Sequence, residues 1–264
     1  MDLCASTERN RLGETMKIAI VGYGQMGKMM EAAAKERGVE VISTIDPKNE
    51  EAMYRELNAA SVKGADVCID FTHPAVIMEN IKKYCELKKN AVIGTTGWYE
   101  NMDEVEKMVK KAKIGCIWSA NFSIGVNMYF RIIEEAAKVV NNIEDYDVMG
   151  VEFHHNLKAD SPSGTMKIMG EILLKNIERK KTAVYEMLSR RIKPSELHLA
   201  SVRGGSIPGV HEIIFDSKAD TITLTHSART REGFAKGAVM AAEFVNKKKG
   251  FFSINDLMDN IIGG

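Results

Sequence analysis

Between Glu152 and Thr165 the chain reads Glu-Phe-His-His-Asn-Leu-Lys-Ala-Asp-Ser-Pro-Ser-Gly-Thr. His154 and His155 carry imidazoles able to exchange protons near neutral pH, and Lys158 carries a fixed positive charge. Ser163-Gly164-Thr165 reads as the exposed start of a helix, where backbone amides favour a carboxylate or phosphate. Ser163 suits equally the plain structural role of an N-cap. Proton donors, a cation and an anion-binding turn in one short segment describe a pocket for a small acidic molecule.

A second group of residues stands near the start. The apolar run Lys17 to Val21 reads as a buried strand and is followed at once by Gly22-Tyr23-Gly24-Gln25-Met26-Gly27, the Gly-x-Gly-x-x-Gly spacing. Such glycines permit a tight turn, close approach of backbone to a pyrophosphate, and close packing of the next helix on the strand. A helical pattern from Gln25 to Arg37 follows. A second strand, Glu40 to Ile45, then ends at Asp46, where an acid can hold a ribose hydroxyl.

The elements that must position these groups follow the same rhythm. A polar helical stretch is expected over Glu50 to Ala60, then a strand over Asp66 to Phe71, a helix from Pro74 through Leu87 and a strand over Ala91 to Ile93. Gly94-Thr95-Thr96-Gly97 closes that strand, and a helix over Met102 to Ala112 leads to a strand over Ile114 to Trp118. Alternation of this kind predicts a Rossmann-type, doubly wound parallel sheet with ligands at the carboxyl ends of its strands. The pattern changes after Asn121. A helix over Val126 to Val140, a strand over Asp147 to His154 and a helix opened by Ser161 to Thr165 precede strands over His198 to Arg203, His211 to Asp216 and Thr221 to Ser227. Arg179-Lys180-Lys181 reads as a solvated basic helix end. Helices are expected over Arg231 to Asn246 and Phe251 to Ile262. The fold class is α/β: a dinucleotide-binding domain from residues 16–123 and 229–264, and a substrate-binding and oligomerisation domain of α+β type with an open mixed sheet over 124–228.

Composition sets the outer limits. The 264 residues are 45% hydrophobic and 27% charged, as in globular chains. Lys plus Arg equals Asp plus Glu at 36 each, so no global field would draw a polyanion, and nucleic acid is not an expected partner. No apolar run approaches the roughly 20 residues that cross a bilayer. Cys4, Cys68, Cys85 and Cys116 show no Cys-x-x-Cys pairing, and reduced thiols in a soluble, cytoplasmic protein without a metal site are expected. Residues 1–15 are polar, without the apolar core of a secretory signal, and read as a leader or alternative start.

Taken in order, these motifs resemble the dihydrodipicolinate (4-hydroxy-tetrahydrodipicolinate) reductase family of the diaminopimelate route to lysine. The resemblance rests on the His-His-x-x-Lys-x-Asp-x-Pro-Ser-Gly-Thr motif and the glycine loop. It extends to Gly94-Thr95-Thr96-Gly97, Ser119-Ala120-Asn121-Phe122-Ser123-Ile124-Gly125-Val126-Asn127, Arg203-Gly204-Gly205 with Gly209 and His211, and Phe234-Ala235 with Gly237-Ala238. It implies reduction of a small cyclic dicarboxylate by NADH or NADPH in a homotetramer. It further implies that His154 donates and accepts the proton, that Lys158 is a second donor or charge partner, and that His155, Gly164 and Thr165 hold the substrate's carboxylates. The cofactor would touch Gly22, Tyr23, Gly24, Gln25, Met26, Gly27, Asp46, Gly94, Thr95, Thr96, Ser119, Ala120, Asn121 and Phe122. Asp46 would repel the extra phosphate of NADPH while Lys48 could neutralise it, so NADH with NADPH also accepted is expected. Other dehydrogenases of similar plan lack the paired histidines, and a non-catalytic dinucleotide sensor needs no proton donors. His73, His198, His211 and His226 read as structural or peripheral.

Overall fold

The computed structural model describes residues 15–263. Apart from Thr15, the expected leader lies outside the described residues. The chain divides into two compact units, one running up to Ile124 and resuming at Glu232, the other spanning Gly125–Arg231. In chain order β1 (Lys17–Val21), α1 (Gln25–Glu36), β2 (Glu40–Ile45), β3 (Val67–Asp70), α2 (Pro74–Glu86), β4 (Asn90–Ile93), α3 (Met102–Ala112) and β5 (Gly115–Trp118) alternate strand and helix. Then come α4 (Ile124–Asn141), β6 (Asp147–His154), α5 (Gly164–Asn176), β7 (Thr182–Val184), β8 (Glu196–Arg203), β9 (Val210–Asp216) and β10 (Thr221–Ser227). The chain closes with α6 (Glu232–Val245), β11 (Gly250–Ser253) and α7 (Ile254–Ile262). Among the described residues no helix is long and apolar enough to cross a membrane.

In the first unit the described strands form a sheet ordered β11-β5-β4-β3-β1-β2, parallel throughout. Its inner strands are short apolar runs because both faces are covered. Ile18 and Ile20 of β1 share a core with Met30 and Ala33 of α1 and with Ala238 and Val239 of α6. Ala19 and Val21 share the opposite core with Ile77 and Ile81 of α2 and Val105 and Val109 of α3. The strand order reverses about β1, which lies between β2 and β3. Strand ends open a crevice at such a point. Pro74 sits in the first turn of α2, and His73 caps that helix by accepting from the Ala75 N–H at 3.2 Å.

In the second unit the described strands are ordered β10-β9-β6-β8-β7, with β6, β8 and β7 paired in parallel and β9 antiparallel to both of its neighbours, β6 and β10. One face is closed by α4 and α5, where Tyr129, Ile133, Met169 and Leu173 pack on Val148, Leu199, Ile213 and Phe215. The even-numbered residues of β6 point into this face and the odd-numbered ones away from it, so the strand reads as half buried.

Three expectations are corrected. Residues Glu50 to Ala60 form turns rather than a helix. This polar stretch lacks an apolar stripe. Its backbone pairs with β2 instead: the Tyr54 N–H donates to the Thr44 carbonyl at 3.0 Å, and the Asp46 N–H donates to the Tyr54 carbonyl at 3.0 Å. Residues Phe251 to Ser253 belong to a parallel edge strand beside β5, which suits their paired aromatic rings, and the helix begins only at Ile254 behind a Ser253–Asp256 capping box. Lys180 is no solvated helix end: it is 3% exposed, and its ammonium donates to the carbonyls of Pro194 (2.9 Å) and Glu196 (2.8 Å) and pairs with Asp147 (2.6 Å). Helix α5 has already ended at Asn176, and the basic run ties its exit to β8.

Gly237 of α6 faces the Phe122 carbonyl so closely that a Cβ there would lie 1.7 Å from the oxygen. Helix propensity favours alanine over glycine by about 1 kcal/mol, and overpacking of this severity costs about 3 kcal/mol or more. Gly237→Ala is therefore expected to destabilise the protein by about 2 kcal/mol or more, read as a lower urea midpoint at unchanged slope. Stability equal to the parent's would refute this packing.

Candidate active site

Glu152 lies in the central strand β6, opposite His211 of β9 and Ser201 of β8, and His154 lies opposite Arg203 of β8. Glu152 is 0% exposed. Its Oε1 accepts from the Ser163 N–H (2.9 Å), the Ser201 hydroxyl (2.8 Å) and the Arg203 guanidinium (2.8 Å). Its Oε2 accepts from the Ser163 hydroxyl, and His211 Nε2 lies 3.3 Å away. Burial works to raise the Glu152 pKa, but hydrogen bonds from His211, Ser163 and Arg203 outweigh it and hold the carboxyl well below the usual range. Glu152 is therefore an ionised, buried anion.

His154 is 6% exposed, and its ring meets that of His211 edge to face, with centroids 5.1 Å apart. Its Nδ1 faces Glu152 Oε2 at 3.6 Å, beyond hydrogen-bonding distance, and has no hydrogen-bond partner among the described residues. Burial lowers its pKa to about 4, against the upward pull of Glu152 and with the help of His211, Lys158 and Arg203. The near-neutral exchange expected of His154 is thus displaced downward: in this arrangement burial costs the imidazolium more than Glu152 returns. On the Nε2 side stands Gly209, where a Cβ would come within 3.1 Å of that nitrogen.

Of the two roles open in the sequence, Ser163 takes that of the N-cap. It caps α5, accepting from the Met166 N–H at 3.1 Å, and it donates its own hydroxyl to Glu152. Gly164 is exposed with open space around it, and the adjoining Thr165 is half buried. Both occupy the first turn, whose amides lack intrahelical partners. Lys158 pairs with Asp160 at 2.6 Å. The His155 N–H donates to the Ile207 carbonyl at 2.8 Å.

Sequence reasoning missed Glu152, Ser201 and Arg203 as members of this cluster and set His211 aside. The two-residue spacing of Glu152 and His154 on a strand does place both on one face. The pairing with β8 and β9 had no local signal.

In the first unit, Gly22 adopts φ +91, and a Cβ there would meet the Phe71 carbonyl at 2.2 Å. A Cβ on Gly27 would meet the Gly22 carbonyl at 2.5 Å, whereas Gly24 faces open space. Gly24 is the N-cap of α1 and offers no side-chain cap, so the first amides of that helix are free for an anion. Asp46 braces this loop. Its Oδ2 accepts from the Tyr23 N–H (2.9 Å) and its Oδ1 from the N–H groups of Lys48 (2.8 Å) and Asn49 (3.0 Å), while the Asn49 amide donates to the Tyr23 carbonyl. Gln25 is exposed and Met26 packs partly against the core.

Thr95 is set by Asp70, a fully buried carboxylate at the end of β3. Asp70 accepts from Thr95 Oγ1 (2.9 Å), Thr72 Oγ1 (2.7 Å) and N–H (3.1 Å), the Asn80 amide (2.9 Å) and the Tyr84 hydroxyl (2.7 Å). Burial raises its pKa and these donors oppose that. Gly94 lies under the Phe71 ring, which a Cβ would strike at 2.3 Å, and Thr96 is exposed. Ser119 Oγ donates to the Asn121 carbonyl (2.8 Å) and accepts its N–H (2.9 Å), Ala120 is exposed, and buried Phe122 lies 6.1 Å from Phe71. The loops so fixed follow β1, β2, β4 and β5, at the strand ends where a dinucleotide binds. An open glycine turn at an uncapped helix start fits its pyrophosphate.

The family description "Dihydrodipicolinate reductase, N-terminus" matches residues 16–122, and "Dihydrodipicolinate reductase, C-terminus" matches residues 125–258. A 4-hydroxy-tetrahydrodipicolinate reductase of Christiangramia forsetii is 34% identical over 247 residues, 93% of this chain and 99% of that protein. One of Staphylococcus aureus strain Newman is 34% identical over 248 residues, 92% of this chain and 100% of that protein. Among solved structures, the dipicolinate-bound dihydrodipicolinate reductase of Paenisporosarcina sp. TG-14 shares the fold, with a TM-score of 0.75 at 23% identity over 91% of this chain and 98% of that one. The chain belongs to the dihydrodipicolinate reductase family, whose members are NAD(P)H-dependent oxidoreductases.

Proposed function

We propose that the protein reduces 4-hydroxy-tetrahydrodipicolinate to tetrahydrodipicolinate in the diaminopimelate route to lysine. The observation that carries this reading is the convergence of an imidazole and a helix start on one buried carboxylate: His154 faces Glu152, and Ser163 is hydrogen-bonded to it. The balance is substrate, NAD(P)H and one proton giving product, NAD(P)⁺ and water. Bound NADH or NADPH supplies the hydride. The glycine loop, Asp46, Gly94 to Thr96 and Ser119 to Phe122 bind and orient it in the first unit, which serves as the dinucleotide-binding domain.

The second unit holds the dicarboxylate. Gly164 and Thr165 offer helix amides to one carboxylate, and Lys158 and His155 offer positive charge or donors to the other. His154 holds the proton that completes the reduction. Negative charge brought by the substrate favours the imidazolium, opposing the burial that lowers its pKa. The outward face of the second sheet carries exposed Met149 and Val202, and we assign homotetramer contacts to it. The enzyme works in the cytoplasm, a reading supported by the free thiols of Cys68, Cys85 and Cys116.

With 4-hydroxy-tetrahydrodipicolinate present, steady oxidation of NADH or NADPH is expected, and His154→Gln should lower kcat by roughly 10²- to 10⁴-fold with cofactor binding nearly intact. Absence of any turnover by the parent protein would favour a dinucleotide sensor; full turnover by the variant would remove His154 from the chemistry. Asp46→Ala should weaken NADH by roughly 10- to 100-fold and NADPH less, since it removes a brace but also a repulsion. Fluorescence titration giving equal losses would show that the acid does not read the ribose. Light scattering is expected to return a tetramer mass, and Met149→Asp with Val202→Asp should lower it; a monomeric parent would end the oligomer proposal.

A further inference from the structure

We propose that Glu152 is a positioning residue of this reaction: its carboxylate faces His154 Nδ1, so that the imidazole presents Nε2 as the proton-transferring nitrogen, and the same carboxylate fastens the start of α5 to that imidazole. The inference rests on the reading of His154 as proton donor.

The geometry separates the two carboxylate oxygens by task. Oε1 receives the Arg203 guanidinium, the Ser201 hydroxyl and the Ser163 N–H, which suffices to hold a buried anion. Oε2 faces the Ser163 hydroxyl, His211 Nε2 at 3.3 Å and His154 Nδ1 at 3.6 Å. A brace alone would not need a second oxygen turned to two imidazoles. His154 Nδ1 is buried and without a hydrogen-bond partner among the described residues, and a shift of under an ångström would close it onto Oε2 at the length of about 2.8 Å usual for a charge-assisted bond. That bond forms only when Nδ1 carries hydrogen, which leaves Nε2 to exchange the proton. Gly209 keeps that side clear, since any Cβ would stand 3.1 Å from Nε2.

The charges around the ring agree. His211 faces it from β9, Arg203 from β8 and Lys158 from the loop after β6, and all three oppose an imidazolium; Glu152, from β6 itself, favours it. A neutral side chain at 152 must therefore lower the His154 pKa further. Activity that needs protonated His154 is lost as pH rises through that pKa, so the loss would begin at lower pH.

The test uses the full chain. Ring-nitrogen NMR of His154, assigned by the signals missing from His154→Gln, is recorded across pH for the parent, Glu152→Gln and Glu152→Asp, beside pH profiles of kcat and NADH titrations. Glu152→Gln is expected to lose the Nδ1–H tautomer preference, to move the falling limb of kcat down by roughly one pH unit and to reduce kcat at least tenfold near pH 7.5, with NADH binding unchanged. Glu152→Asp should restore part of both signals. Unchanged ring-nitrogen shifts and titration in Glu152→Gln would reduce Glu152 to a brace and overturn the proposal, whatever happens to kcat. Should Glu152→Gln fail to fold, Gly209→Ala decides: it leaves the carboxylate in place and crowds Nε2, so kcat should fall about tenfold with the Nδ1 signal kept, and an unchanged kcat would show that Nε2 does not face the substrate. Full turnover in His154→Gln would instead sink the proton-donor reading, while the NMR comparison still judges what sets the tautomer.

Discussion

The second unit is organised around an anion that has no water. Glu152 can remain ionised at 0% exposure only because backbone, hydroxyl and guanidinium donors from the start of α5 and from β8 converge on it. Each donor so recruited is fixed in turn. Ser163 is held as the cap of α5, Arg203 is held against the Asp160 carbonyl at 2.7 Å, and the two imidazoles are packed edge to face. A single burial cost thereby sets the place of the anion-binding turn and of the imidazole.

The first unit uses the same device at another strand end. Asp70 is also 0% exposed, and its five donors come from β3's own exit, from α2 and from the loop after β4. No formal cation is among these donors, so desolvation outweighs them and the Asp70 pKa stays raised. The loops bearing Thr72 and Thr95 are thereby tied together, while Asp46 ties the glycine turn to the end of β2. Buried or half-buried carboxylates hold the backbone still, leaving helix amides turned outward for ligand anions.

His154 shows why residue type alone is a poor guide to protonation. A histidine in sequence suggests exchange near neutrality, yet enclosure by β8, β9 and the α5 start places it well below. Desolvation and the three surrounding cationic or basic groups outweigh the facing carboxylate. The balance shifts with any bound negative charge, which makes the state of this imidazole depend on what the pocket holds.

Much of the fold was legible because it rests on local periodicity. Strands β1 to β5 are short apolar runs, the crossover helices repeat at helical spacing, and the glycine turn, Pro74 and the Ser163 cap are punctuation read within a few residues. The errors fell where a distant partner competed with local preference: the edge pairing of Phe251 with β5, the docking of Tyr54 on β2, and the burial of Lys180 against the carbonyls ahead of β8 and at its start. The sequence by itself determined the alternation, the glycine turn and the histidine motif, since these depend on neighbours along the chain. Only tertiary structure decided that Glu152, Ser201, Arg203 and His211 form one network with His154, because cross-strand register is set by packing between segments far apart in sequence.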